Sequence, residues 1–175
     1  MPQRSFDDFD DYAKDYRSIH NSNIKISGAG SFYFAEMKVK MLKYFALDYF
    51  LKVLDVGCGD GATAFFMAKH FPQWSVTGID VSVGSIEEAK SKNISSAEFL
   101  VYDGNKIPFA DGTFDIIFMA GVLHHVDFSL HQNIINEVCR VTKVNGRFFL
   151  FEHNPINPLT RHLVNTCVFD KNAKL

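Results

Sequence analysis

From Leu51 onward, short apolar runs alternate with stretches of helical periodicity, and this alternation restricts the possible folds more than any other feature of the chain. The runs are almost unbroken series of Val, Ile, Leu and Phe, which is typical of strands buried on both faces of a parallel sheet. Strands are predicted at 53–57, 75–80, 97–103, 114–120 and from 147 onward. Helices are predicted at 62–70, 84–92 and 130–141, the last ended by Asn145-Gly146. The pattern therefore predicts an α/β fold, a doubly wound sandwich with a mostly parallel sheet.

The first 50 residues have a different, helical pattern. Aromatic and apolar residues from Phe6 to Tyr16 recur at spacings of three and four, and a second helical stretch follows from about 32 to 49. We interpret residues 1–50 as an N-terminal helical segment and residues 51–175 as the α/β domain. A chain of 175 residues with 47% hydrophobic content is expected to pack both parts into one compact domain.

Charge and cysteine content exclude several kinds of protein. The net charge of −2 provides no general attraction to nucleic acid or to an anionic membrane surface, so neither is expected as a partner. The longest uninterrupted apolar run, 116–123, is too short to span a membrane, and the N-terminus has no apolar signal segment, so a cytoplasmic location is predicted. The three cysteines are widely spaced without a C-x-x-C pair, which favours neither a disulfide framework nor a metal site.

The first predicted strand ends in the sequence DVGCGDG, which is rich in glycine. Gly57, Gly59 and Gly61 permit positive φ angles and a close approach of the backbone to a ligand. The loop is not a phosphate-binding P-loop, because no Lys-Ser/Thr follows, and its G-x-G-x-G spacing differs from the dinucleotide fingerprint G-x-G-x-x-G. A tight turn without a ligand is the alternative interpretation.

Acidic residues follow the next two strands, at the sheet edge where ligands of such folds bind. Asp80, at the end of the second strand, is suited to accept hydrogen bonds from ribose hydroxyls, or else to stabilise the start of the next helix. Asp103, followed by Gly104, is suited to accept from the exocyclic amine of adenine, or else to form a turn. The small residues Ala120 and Gly121 follow the fourth strand.

Taken in order, the segments VLDVGCGDG, GIDVS, EFLVYDGNKIPFADGTFDIIFMAGVLHHV and VNGRFFLFEHNP resemble the class I S-adenosylmethionine-dependent methyltransferases. The resemblance covers about 51–155 and is strongest to the branch of ubiquinone and menaquinone C-methyltransferases and small-molecule methyltransferases. It implies that the loop around the methionine part of the cofactor consists of Asp55, Gly57, Cys58, Gly59 and Gly61. The ribose would contact Asp80 with Val81, the adenine would contact Asp103 with Gly104, and Ala120 would lie next to the methionine part. An N-terminal helix with Tyr12 and Tyr16 would cover the cofactor.

The resemblance also implies a reaction. S-adenosyl-L-methionine would donate a methyl group to a small-molecule acceptor by in-line displacement, leaving S-adenosyl-L-homocysteine, and no metal is required. His124 and His125 follow the fourth strand, where the acceptor is expected, and either is a candidate base. Alternatively, one histidine caps or packs the following segment. Glu152, His153 and Asn154 end the fifth strand and are further candidates for acceptor contacts.

The chain departs from the family pattern after the fifth strand. Members usually continue with an antiparallel hairpin that completes the sheet, whereas here the sequence ends at Leu175 after one predicted helix at 159–167. We therefore expect an exposed edge strand, and either a truncated chain or a homodimer that covers this edge. Two other functions remain open, namely a catalytically inactive cofactor-binding partner or regulatory module and a nicotinamide-dependent oxidoreductase.

Overall fold

The computed structural model describes residues 30–45 and 49–166, and all structural statements below concern these residues. The predicted helix around Phe6 to Tyr16 lies outside them, and so does the covering role of Tyr12 and Tyr16. Five strands are present: β1 Lys52–Val56, β2 Ser75–Asp80, β3 Ala97–Val101, β4 Phe114–Ala120 and β5 Thr142–Phe151. Five α-helices are described: α1 Ser31–Met41, α2 Ala62–His70, α3 Val83–Ser91, α4 Phe128–Val141 and α5 Pro158–Thr166.

The strands form one parallel sheet with the order β3-β2-β1-β4-β5, which confirms the predicted doubly wound fold. The central strands β1, β2 and β4 are buried along most of their length, as their continuous apolar sequences predict, whereas β3 and β5 are partly exposed at the two sheet edges. Asp55 of β1 pairs with Gly78 on one side and Phe118 on the other, so it lies in the middle of the sheet.

Alternate residues of each central strand enter different halves of the core. Val53 and Phe118 belong to the half packed under α1, α2 and α3, whereas Leu54 and Met119 belong to the half packed under α4. In the first half, Trp74 is fully buried and stacks on Phe71 with 3.8 Å between ring centroids. Both halves therefore support β1, at whose carboxyl end the glycine-rich loop begins.

The prediction for Asn145-Gly146 was wrong. The last long helix ends at Val141, and these two residues lie inside β5, where the pairing with β4 shifts register between Phe114 and Ile116. Asn145 has a φ of 67°, a value that suits a β-bulge as well as the end of a helix. A Cβ on Gly146 would lie 2.9 Å from the carbonyl oxygen of Lys143, so the bulge requires glycine here.

Other boundaries moved by a few residues. The helix predicted to reach 49 consists of α1 and a 3-10 turn at Leu42–Tyr44, and β3 ends at Val101, two residues before Asp103. Within the described ranges, β5 pairs only with β4 and forms an edge of the sheet, as expected. No helix in the same ranges is both long and apolar enough to cross a membrane.

Candidate functional site

The glycine-rich loop joins β1 to α2 and is fixed to the end of β2. Gly57, Gly59 and Gly61 all have positive φ angles, of 70°, 52° and 76°. The amides of Gly57 and Cys58 donate hydrogen bonds to the carbonyl oxygen of Ile79, at 2.8 and 3.1 Å. The loop therefore folds back over the neighbouring strand, which brings its backbone next to Asp80.

Two of these glycines are needed for different reasons. A Cβ on Gly57 would lie 2.4 Å from a methyl group of Val122, so the segment after β4 can approach the loop only because residue 57 has no side chain. A Cβ on Gly59 would meet no atom within 4 Å among the described residues, so this glycine faces open space. The tight-turn interpretation thus accounts for Gly57, whereas Gly59 borders a space that a ligand could enter.

Asp55 is the most unusual ionisable group of the site. Its side chain is 2% exposed, and its Oδ2 is buried without a hydrogen-bond partner in the described ranges. Burial raises its pKa to about 8, the Asp80 carboxylate adds to the rise, and Lys38 opposes it. A buried carboxyl oxygen without a partner is costly, and a cationic ligand would compensate for it.

Lys38 of α1 interacts electrostatically with two acids of the strand ends, which the sequence analysis did not predict. Burial lowers the pKa of Lys38, and the carboxylates of Glu152 and Asp55 oppose this shift. The apolar pattern around it predicted the helix correctly but carried no signal for this interaction. A lysine in a surface helix usually lies on the solvent-facing side.

Asp80 holds the loop in place with both carboxylate oxygens. Oδ2 accepts from the amide of Gly59 at 2.9 Å, and Oδ1 accepts from the amide of Ser82 at 3.0 Å. Ser82 in turn caps α3, since its hydroxyl oxygen accepts from the amide of Ser85. Asp80 is only partly exposed, and Val81, also partly exposed, stands next to it in the chain.

Asp103 lies farther out than the other acids. Its side chain is exposed, and Oδ1 accepts from the amides of Asn105 and Lys106 at 2.9 and 3.0 Å, which is the geometry of an Asx turn. These hydrogen bonds hold the pKa of Asp103 below its ordinary value. Gly104 follows with a φ of 77°. The turn interpretation is therefore correct as far as these contacts go, and an adenine contact stays a prediction.

A histidine–glutamate pair lies at the ends of β4 and β5. His124, 8% exposed, is in a 3-10 turn at Leu123–His125, and its Nδ1 lies 2.7 Å from Oε2 of Glu152. Oε1 of Glu152 accepts from the amides of Val122 and Leu123 at 2.9 and 2.8 Å. Burial raises the pKa of Glu152, but the hydrogen bonds from His124 and the two amides outweigh it, so the pKa lies below its ordinary value.

Other predicted site residues are placed around this pair or away from it. The ring centroid of His124 lies 4.0 Å from that of His125 and 4.6 Å from that of His153. Ala120 ends β4 just before this turn. Cys58 contributes its backbone to the loop, but its side chain is buried against β2 and burial raises the pKa of its thiol. No cluster suited to a metal ion occurs among the residues that the structure describes.

Comparisons with known proteins agree with this arrangement. Residues 53–146, more than half of the chain, match a family model described as a methyltransferase domain. The ubiquinone/menaquinone biosynthesis C-methyltransferase of Desulfotalea psychrophila is 36% identical over 105 residues, which cover 59% of this chain and 42% of that protein. The crystal structure of the YcgJ protein of Bacillus subtilis has a TM-score of 0.61 at 30% identity, covering 74% of this chain and 56% of that one.

A third protein, PKMT2 of Rickettsia typhi, was solved in complex with AdoHcy; its TM-score is 0.54 at 28% identity, covering 60% of this chain and 21% of that one. This chain spans less than half of the length of several curated relatives that it matches. The matched segment nevertheless includes the glycine-rich loop, the acidic strand ends and the histidine turn. The chain belongs to the class I S-adenosylmethionine-dependent methyltransferases.

Proposed function

We propose that this chain binds S-adenosylmethionine across the carboxyl ends of β1, β2 and β3, and that it transfers the methyl group to a small molecule held near the ends of β4 and β5. The observation that carries the proposal is Asp55, a buried carboxyl group with an unpartnered Oδ2 in the described part of the chain. It belongs to β1, two residues before Gly57, and Gly59 of the following loop faces open space. A cationic ligand in that space would satisfy the carboxyl group.

The residues present fit this cofactor. S-adenosylmethionine carries an ammonium and a sulfonium group but no phosphate, and the strand ends supply carboxyl groups rather than a cluster of bases. Asp55, the loop from Gly57 to Gly61 with Cys58, and Ala120 would hold the methionine part, Asp80 with Val81 the ribose, and Asp103 with Gly104 the adenine. The carboxylate of Asp80 is oriented for this role by the hydrogen bonds that it accepts from the amides of Gly59 and Ser82.

When bound, the cofactor supplies a methyl group attached to a positively charged sulfur. The chain contributes positioning, and His124 contributes a place for a proton. Since the lowered pKa keeps Glu152 ionised, its Oε2 can only accept, so Nδ1 of His124 carries the hydrogen of their 2.7 Å bond. In the neutral tautomer that this bond favours, Nε2 carries the ring's lone pair and is the atom that would accept a proton from an acceptor hydroxyl, amine or carbon acid. His125 remains a second candidate for this role.

A small-molecule acceptor is supported by two observations. The relative from Desulfotalea psychrophila is named for quinone biosynthesis, and it is 36% identical to this chain over 105 residues. The chain also has a net charge of −2, which does not favour a nucleic acid as the methylated partner.

Calorimetric titration with S-adenosylmethionine and S-adenosylhomocysteine tests the proposal, with NAD as the control. We expect both sulfur nucleosides to bind and NAD not to bind, followed by methyl transfer in a screen of quinone precursors, phenols and small amines. Binding without transfer to any acceptor would favour the inactive regulatory module. A chain that binds neither sulfur nucleoside would contradict the proposal.

A further inference from the structure

The connection between β3 and β4, residues 102–113, is an unusual crossover. It passes from the edge strand β3 across β2 and β1 to β4, yet it consists of turns without a helix. A helix satisfies its own backbone hydrogen bonds, whereas an irregular segment packed on a sheet must find partners elsewhere. We call residues 102–113 the crossover loop. Several of its partners are side chains of α4.

Three residues of α4 reach the backbone of the crossover loop. Asn133, Glu137 and Arg140 are spaced by four and three positions and so share one face of the helix. Arg140 donates to the carbonyl oxygens of Phe109 and Ile107 at 2.7 and 2.9 Å. Oε2 of Glu137 accepts from the amide of Ile107 at 2.9 Å. The side-chain amide of Asn133 donates to the carbonyl oxygen of Asn105 at 2.9 Å. We call the three side chains the loop clamp.

The clamp is held together by charge. Nε and Nη2 of Arg140 each lie 2.7 Å from an oxygen of Glu137, and Nη1 lies 2.8 Å from Oδ1 of Asp111. The side chains of Arg140 and Glu137 are 24% and 16% exposed, so these charge-assisted bonds are partly shielded from water. The hydrogen bond to Arg140 is also the largest cause of the lowered pKa of Glu137. Only a planar guanidinium offers enough donors for two carboxylates and two carbonyls together.

The loop clamp contacts the crossover loop close to Asp103 and Gly104, the residues proposed to bind adenine. Asp103 turns its carboxylate onto the amides of Asn105 and Lys106, and Asn133 holds the carbonyl oxygen of Asn105. We propose that Asn133, Glu137 and Arg140 are positioning residues that fix the adenine side of the cofactor site before the cofactor binds. This inference rests on the proposed function. A loop ordered in advance loses less conformational entropy on binding, so the clamp raises cofactor affinity without touching the cofactor.

The test compares S-adenosylhomocysteine with its inosine counterpart, in which the exocyclic amine of the base is replaced by oxygen. Calorimetry gives the dissociation constant of each compound. The constant of the inosine counterpart divided by that of S-adenosylhomocysteine measures how strongly the site prefers adenine, and we expect this ratio to be above one for the wild type. Arg140→Lys keeps the charge but cannot reach all the partners of Arg140. We expect it to weaken S-adenosylhomocysteine binding by about 10-fold, as for the loss of a charge-assisted network, and to bring the ratio towards one.

Two further variants separate positioning from stability. Asn133→Ala leaves the arginine–glutamate pair intact. We expect it to lower the ratio of the two dissociation constants by less than Arg140→Lys does. We also expect faster hydrogen exchange of the backbone amides at 104–110. Arg147→Ala removes an exposed arginine of β5 and should leave the ratio unchanged. A purely stabilising Arg140 would lower the melting temperature without changing the ratio.

Unchanged ratios in both clamp variants would overturn the inference, and so would a wild-type chain that binds the two analogues equally. A wild-type chain that binds neither analogue would remove the proposed function and this inference with it.

Discussion

At the scale of single residues, burial of the Asp55 carboxyl group lowers the stability of the folded chain, and a bound cationic ligand could offset this loss. Its folded pKa of about 8 lies above the value near 3.9 of an unfolded aspartate, so between these pH values the unfolded chain binds fewer protons than the folded one. The free energy of unfolding should therefore fall as the pH rises through this window, by at most about 1.4 kcal/mol per pH unit from this group. Below pH 4 both states bind the proton and the effect ends.

Asp55→Asn should remove this pH dependence. Relative to wild type, we expect the variant to gain stability steadily between pH 4 and pH 8, because an amide has no charge to desolvate, while it loses cofactor affinity. Urea denaturation across that range measures the difference. Asp103→Asn is the contrasting control, since its folded pKa is lowered and its contribution is lost only as the pH falls through that value. A difference independent of pH for Asp55→Asn would contradict the assignment.

Asp80 is expected to contribute to binding rather than to the core. Asp80→Ala removes a charged acceptor from the proposed ribose site and releases the amide of Gly59, so cofactor binding should weaken by about 1–3 kcal/mol, or roughly 5- to 150-fold. Calorimetry with S-adenosylhomocysteine measures the loss. An unchanged dissociation constant would remove Asp80 from the site.

Glu152 should act on the chemical step through His124. Glu152→Gln offers an amide that can donate to Nδ1, which favours the opposite tautomer and removes the lone pair from Nε2. If His124 is the base, kcat should fall by about 100-fold or more, a loss typical of general base catalysis, while cofactor affinity changes much less. His162→Ala, an exposed histidine of α5, is the matched control. Equal kcat values in wild type and Glu152→Gln would contradict this role.

At the scale of elements, the glycine-rich loop allows a paired test. Gly57 and Gly59 have similar positive φ angles, so alanine at either position costs about 1–2 kcal/mol of backbone strain. Only at Gly57 does the added Cβ also clash, with Val122. We therefore expect Gly57→Ala to lower the melting temperature much more than Gly59→Ala, and Gly59→Ala to lose cofactor affinity while remaining folded. An unchanged cofactor affinity in Gly59→Ala would show that the open space at Gly59 is not part of the site.

The strands and the glycine-rich loop were predictable because each depends on local properties of the sequence. Short continuous apolar runs that alternate with helical stretches are typical of a parallel sheet, and all five strands were found near their predicted positions. The position of Asn145-Gly146 was not predictable in the same way. The same positive φ ends a helix or forms a bulge, and only the pairing of β5 with β4 decides between the two.

Contacts between distant segments also could not be predicted from the sequence. Nothing in the local pattern of α1 indicates that Lys38 approaches Asp55, and nothing in α4 indicates that Arg140 holds the crossover loop. Both depend on how helices pack on the two faces of the sheet. Glu152 could be named as a candidate from its place at a strand end, but its bond to His124 required the register of β4 and β5.

At the scale of the whole molecule, β5 is an edge strand that has a neighbouring strand on only one side in the described part of the chain. Within the described residues it pairs on one side only, and its side chains include Val144, 93% exposed, and Leu150, 42% exposed. An edge with unpaired backbone groups and apolar side chains promotes pairing with another chain. A second copy could satisfy both by adding its own β5 across a twofold axis.

We therefore expect the chain to associate as its concentration rises, with a light-scattering mass that approaches twice that of the monomer. Leu150→Lys should shift this equilibrium towards the monomer, because a charge on an edge strand opposes strand addition. Leu100→Lys is a closely matched control, since Leu100 is a leucine of the other edge strand, β3, with 39% exposure, and it should leave the mass unchanged. Equal effects of the two lysines would assign the association to general hydrophobicity, and a monomer at every concentration would exclude a dimer formed through β5.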